Sequence, residues 1–225
     1  PLAVWEEKQA ALEAALDVSI VKIIYGKSRS RVLIYAAPTQ TSLPDILRWS
    51  DSYLSSDSFV LTLGESLLGP VTVNLAHIPH ILLGGSTGSG KSVLLKLLLM
   101  QSLHKGAEVY IADFKGGVDF SKVWHEKCRM CFTEAELLDT LDNLVRELEQ
   151  RKGLLAKTGC PNLDAYNEAT GENLPRLVFG CDEVAEVLDR TGRSKGDKEL
   201  LAQIESRLAT IARLEIGRAS CRERV

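Results

Sequence analysis

The chain has 225 residues, 45% of them hydrophobic, enough for one large α/β domain with a smaller appendage. Its net charge of −3 excludes a polycation that coats nucleic acid indiscriminately, but leaves room for a local basic patch or a ring pore. No apolar run approaches the ~18 residues of a membrane span, no secretory leader is visible, and the five scattered cysteines read as reduced thiols in a cytoplasm.

Pro1 implies that the natural start lies upstream. Trp5 to Leu16 alternates charge and apolar side chains at helical spacing, and four alanines favour a helix there. Val18 to Tyr25 and Arg31 to Ala36 are β-branched runs joined by Gly26 to Ser30, which predicts a hairpin. Lys27, Arg29 and Arg31 sit at its tip and exit, as a solvated turn or as a face toward DNA or another subunit. Leu43 to Trp49, with Pro44 in its first turn, predicts a helix. Phe59 to Leu63 and Val71 to Leu75 read as strands around Gly64 to Pro70. Residues 1–57 thus form an expected small α+β accessory subdomain, and residues 58–214 the expected core.

His77 and His80 flank a proline and read as packing or turn residues. His80 to Gly84 is a short apolar run, expected to be a buried strand. Next comes Gly85-Ser86-Thr87-Gly88-Ser89-Gly90-Lys91-Ser92, the G-x-x-x-x-G-K-S phosphate-loop pattern. Three glycines let the backbone curl and turn its N–H groups inward into a concave anion site. Lys91 reaches β- and γ-phosphates, Ser92 offers a hydroxyl to Mg²⁺, and Val93 opens a helix whose N-terminus faces the anion. ATP with Mg²⁺ is the expected ligand.

Gly106 ends that helix, and Glu108 to Asp113 forms a strand. Strand, helix and strand in this order imply a parallel sheet with flanking helices. Asp113-Phe114-Lys115-Gly116-Gly117 falls at the C-terminal edge of the sheet, where ligands bind, with the roles of Asp113 and Lys115 left open. Cys128-x-x-Cys131 has only His125 nearby and reads as partly buried thiols rather than a zinc site. Thr133-Glu134-Ala135-Glu136 is a capping box. The helix it opens carries Leu137, Leu138, Leu141, Leu144, Val145 and Leu148 on one face, with Glu147, Glu149, Arg151 and Lys152 on a solvated face. Gly159 to Asn162 breaks the pattern, and Leu163 to Asn167 adds a helical turn.

Leu177 to Cys181 is apolar and ends in Asp182-Glu183. A buried strand there brings both acids to the sheet edge beside the phosphate loop. Asp182 would hold Mg²⁺, and Glu183 would orient and deprotonate the attacking water. A short helix follows from Val184, then a polar loop over Asp189 to Asp197, then a helix over Leu200 to Leu214. Residues 215–225 look like a translated sequencing adapter rather than evolved sequence, and are set aside from fold reasoning.

The stretch His80 to Val93 resembles the phosphate-loop region of the FtsK/SpoIIIE DNA translocases. Gly69 to Leu75 is similar to the strand that precedes it there, Ile111 to Lys115 to the family's aspartate-x-lysine strand end, and Leu177 to Glu183 to its second nucleotide motif. The resemblance spans roughly residues 59–214 and keeps the family's motif order. It implies a RecA-like P-loop core that forms a homo-hexameric ring around double-stranded DNA and drives the duplex through its pore by ATP hydrolysis. Lys91 and Ser92 match the phosphate-loop lysine and metal ligand, and Asp182 and Glu183 the metal acid and catalytic glutamate. The Asp113-to-Gly117 variant looks more like FtsK-type proteins of mobile elements. The family continues with an arginine segment and a glutamine sensor where this chain runs into residues 215–225, so Arg218 is not given the arginine role. The chain is therefore expected to bind ATP but to hydrolyse it poorly. The alternatives are a secretion or conjugation coupling ATPase, and a nucleotide-binding interaction module without productive hydrolysis.

Overall fold

The computed structural model describes residues 2–28 and 30–214. Arg29 of the basic hairpin tip and all of residues 215–225, Arg218 included, lie outside the described residues. The chain divides into two compact units, one of residues 1–56 with 62–73, the other of residues 57–61 with the chain from 74 onward.

In the first unit, α1 (Leu2–Glu7) and α2 (Gln9–Leu16) replace the single expected helix, with a break at Lys8. The α2 C-cap, Asp17, is left-handed at φ 53° and turns the chain straight into β1 (Val18–Tyr25). β1 pairs antiparallel with β2 (Val32–Pro38), the expected hairpin, and the register shifts by one residue between Ile20 and Lys22. The Ile20 N–H reaches back to the Glu13 carboxylate of α2 at 2.8 Å, fixing the helix against the strand.

The helix expected at Leu43–Trp49 is absent. Only a 3-10 turn over Asp51–Tyr53 forms after it. Leu43, Ile46 and Leu47 are exposed, so nothing packs there to offset the cost of helix nucleation in so short a segment. β3 (Val60–Ser66) and β4 (Gly69–Asn74) form a separate two-stranded ribbon. Its turn is closed by the Ser66 hydroxyl, which accepts from Leu68 N–H and donates to the Gly69 carbonyl.

The second unit is built on a three-stranded parallel sheet in the order β6-β5-β7. α3 (Lys91–His104) leads into β5 (Glu108–Ala112), followed by α4 (Lys122–Lys127) and β6 (Arg129–Cys131). α5 (Glu134–Thr158) and α6 (Leu163–Thr170) then precede β7 (Leu177–Cys181), α7 (Val184–Val187) and α8 (Lys195–Arg213). β5 is central and its side chains alternate between two cores. Val109 and Ile111 pack with Leu95, Leu99 and Leu103 of α3, while Tyr110 and Ala112 pack with Leu137, Leu141 and Leu144 of α5 and Leu201 and Ile204 of α8. The result is the expected parallel α/β sandwich, helix on sheet on helix.

Local chemistry explains most boundaries. The capping box forms as read, with the Thr133 hydroxyl on Glu136 N–H and the Glu136 carboxylate on Thr133 N–H. A second capping box, Ser194 with Asp197, starts α8 at Lys195, inside the stretch expected to be loop. Gly159 ends α5 in the left-handed conformation, φ 70°.

Two expectations fail in the core. His80–Gly84 lies outside any strand or helix, with Ile81 40% and Leu82 87% exposed. An apolar run of that length is compatible with a strand but does not specify one, because the ladder also needs a neighbour at the right register. Arg151, assigned to a solvated face, is 6% exposed. Its Nε donates to Glu147 Oε1 at 2.7 Å and its Nη1 to the Pro175 carbonyl, so the guanidinium ties α5 to the chain entering β7.

Candidate nucleotide site

The phosphate loop sits between the irregular 80–84 segment and the first turn of α3. Gly88 and Gly90 have φ of +79° and +91°, a backbone that a side chain disfavours, and Gly90 is the N-cap of α3. At Gly85 a Cβ would lie 2.6 Å from Ser89 Oγ, so a larger residue there would require the Ser89 hydroxyl to move aside. Ser89 N–H donates to the Ser86 carbonyl at 3.2 Å, completing the turn. The Lys91 ammonium arches back over the loop and donates to the Gly85 and Ser86 carbonyls at 2.8 and 2.9 Å. Val93 is 71% exposed on the outer side of the first helical turn.

β7 delivers the acids. Its register with β5 aligns Ala112 with Cys181, and Asp182 N–H donates to the Ala112 carbonyl at 3.3 Å. Asp113 and Asp182 are therefore the next residues on adjacent strands, side by side at the C-terminal edge. The Ser92 hydroxyl donates to Asp182 Oδ2 at 2.8 Å across a sequence separation of 90 residues. Asp182 is 8% exposed, so this contact is a shielded one. A serine hydroxyl and a carboxylate are hard oxygen donors of the kind Mg²⁺ takes, and they converge at the N-terminus of a helix that favours anionic phosphate.

Glu183 lies one residue past Asp182 with a left-handed backbone, φ 57°. Its Oε1 is 2.6 Å from Lys115 Nζ, and Asp119 Oδ2 lies 3.5 Å from the same ammonium. The hydrogen bond to Glu183, opposed by partial desolvation, holds the Lys115 ammonium above its ordinary range. Asp113 is 1% exposed; its Oδ1 accepts from Lys115 N–H at 3.0 Å and so shapes the turn that carries Lys115. Asp113, Phe114, Lys115, Asp182 and Glu183 line one small pocket at this edge. The Asp-x-Lys spelling after a strand was the signal for the Lys115 side of the site; the ion pair with Glu183 needed coordinates to be seen.

Cys181 adjoins this cluster, its Sγ 3.6 Å from the Asp182 carbonyl. Burial pushes the Cys131 thiol up to about 11 and the Cys181 thiol up to about 12. Among the described residues no group of three or more His, Cys, Asp or Glu is arranged to hold a metal, and no helix is long and apolar enough to cross a membrane.

A model of the FtsK/SpoIIIE family matches residues 43–212. The chain belongs to the FtsK/SpoIIIE family. It is 30% identical over 191 residues to the DNA translocase SftA of Bacillus subtilis, covering 78% of this chain and 20% of that protein. It is 29% identical over 178 residues to the DNA translocase FtsK of Helicobacter pylori strain J99, covering 74% of this chain and 20% of that one. The chain thus spans about a fifth of the length of these relatives. Among solved structures, the monomer form of the pCW3 conjugation coupling protein TcpA with ATPγS aligns with a TM-score of 0.76 and 34% identity. That alignment covers 96% of this chain and 62% of that chain. The P-loop α/β core of this family is therefore the fold of residues that the sequence motifs marked.

Proposed function

We propose that this chain is the ATPase core of a DNA-translocating motor, of the kind that serves a mobile or conjugative element. The observation that carries the reading is the 2.8 Å bond from Ser92 to Asp182, which joins the two nucleotide motifs at one sheet edge. The likeness to a conjugation coupling protein over 96% of the chain favours the conjugative setting over chromosome segregation. The proposed organisation is an accessory subdomain at residues 1–57, with which the 62–73 ribbon packs, an ATPase core at 58–214, and a non-native tail at 215–225. A cytoplasmic homo-hexamer around double-stranded DNA is the assembly that the family likeness supports.

In the proposed mechanism the N–H groups of Gly85 to Ser92 cradle the phosphates of ATP. Lys91 leaves the Gly85 and Ser86 carbonyls for the β- and γ-phosphate oxygens. Ser92 and Asp182 would hold Mg²⁺, which when bound neutralises charge on the β- and γ-phosphates. Glu183 orients the attacking water and accepts its proton, while the pairing with Lys115 sets where its carboxylate stands.

Nucleotide binding and turnover in the same preparations, with and without duplex DNA, test this. Glu183→Gln is expected to keep ATP binding and to lose about 10²–10⁴-fold in turnover, the usual worth of a general base. Lys91→Ala is expected to weaken binding itself. Turnover that ignores duplex DNA but rises with a protein substrate would point to a secretion ATPase. Turnover untouched by Glu183→Gln would leave only a nucleotide-gated interaction module.

A further inference from the structure

Asp113 has a second carboxyl oxygen that its turn does not explain. The side chain is 1% exposed, and Oδ1 already satisfies Lys115 N–H. Among the described residues, Oδ2 is buried and meets no hydrogen-bond donor. The nearest cation in sequence, Lys115, directs its ammonium to Glu183 and Asp119 instead. A buried acceptor without a donor costs about 1–3 kcal/mol, and more when it is ionised. If capping the turn were the whole role of residue 113, serine would serve as well without a second oxygen to bury.

The placement of Asp113 at the sheet edge gives the second oxygen a use. Asp113 follows β5 as Asp182 follows β7, on adjacent parallel strands, and both line the same small pocket with Glu183. Mg²⁺ dehydrates reluctantly and keeps several waters when one or two carboxylates hold it. We propose that Asp113 Oδ2 accepts a hydrogen bond from the hydration shell of the Mg²⁺ held by Ser92 and Asp182, as a positioning residue for that ion. The proposal rests on the reading of Ser92 and Asp182 as the metal ligands. Asp113 itself touches neither the metal nor the reacting phosphate. It supplies an outer acceptor that orients the bound waters.

The test is the Mg²⁺ concentration that half-saturates binding of a fluorescent, non-hydrolysable ATP analogue, which needs no turnover. Asp113→Asn keeps the carbonyl oxygen for Lys115 N–H and puts an N–H₂ donor where Oδ2 was. Asp113→Ser keeps an acceptor for the turn and removes the second oxygen without adding a donor. Both variants are expected to stay folded in Mg²⁺-free buffer, and to need about 10- to 100-fold more Mg²⁺, the usual loss for an outer partner of a metal site. An unchanged Mg²⁺ requirement in either folded variant overturns the proposal and leaves Asp113 as a turn cap alone. Asp182→Ala separates this failure from that of the underlying reading. If removing Asp182 also leaves the Mg²⁺ requirement unchanged, the ligand assignment falls and the role of Asp113 falls with it.

Discussion

The Ser92–Asp182 hydrogen bond can be measured apart from any nucleotide, through a double-mutant cycle in Mg²⁺-free denaturant unfolding. The perturbations are Ser92→Ala, Asp182→Ala and both together. The donor–acceptor distance is 2.8 Å and Asp182 is 8% exposed, so solvent screening discounts the bond little. A hydrogen bond to a charged group in such a place contributes about 1.5–3 kcal/mol. Ser92→Ala alone is expected to destabilise by about that amount, since it leaves the carboxylate shielded and short of one donor. Asp182→Ala alone mixes two effects. It loses the same bond, but it also removes one of the three carboxylates, with those of Asp113 and Glu183, that line one pocket. Its net effect is therefore expected to be smaller than the loss of the bond. The cycle cancels the repulsion and isolates the pair, with an expected coupling of about 1–2 kcal/mol. Effects that add to within about 0.5 kcal/mol would refute the contact, because residues that do not touch behave that way.

Three further outcomes follow from the same geometry. Alkylation of the native protein at pH 8 is expected to spare Cys131 and Cys181, whose thiols burial holds protonated up to about 11 and about 12; mass mapping that finds either modified before unfolding contradicts their burial. The hydrogen bond from Arg193 holds the Glu134 carboxyl below its ordinary 4.5. That depressed value means the pair adds stability above pH 4.5 that is lost as pH falls through the lower folded value. Arg193→Gln should accordingly lower the melting temperature at neutral pH and flatten its fall below pH 4.5, and an unchanged acid limb would contradict the pairing. Leu141 and Ile204 are both 0% exposed in the core between sheet, α5 and α8, so truncating either to alanine should destabilise by about 2–5 kcal/mol in urea unfolding.

Much of the site was legible because its signals are local. A tight turn that needs Gly88 and Gly90 at positive φ, and a capping box whose two partners sit three residues apart, are written within a few letters of sequence. β5 and β7 were legible for a related reason. Each is a short β-rich run, and each ends in an acid where the sheet edge requires something polar. What escaped notice depends on distant partners. Arg151 reads as a surface residue of an amphipathic helix until the Pro175 carbonyl arrives from another part of the chain. Leu43–Trp49 and His80–Gly84 have the right letters for a helix and a strand, but the first finds no surface to pack on and the second no ladder. β6 is three residues long, too short for any period to register, and owes its existence to pairing with Tyr110 to Ala112. The ion pair of Lys115 with Glu183 links residues on two strand ends that only the parallel register brings together.

The most direct measurement is the anomalous scattering of Mn²⁺ in crystals grown with a non-hydrolysable ATP analogue. The expected peak lies within ligating reach of Ser92 Oγ, on the side of Asp182, with the triphosphate wrapped by Gly85 to Lys91. A peak bound elsewhere, or a triphosphate that leaves Ser92 and Asp182 on a face it does not touch, would contradict the assignment of this edge as the nucleotide site.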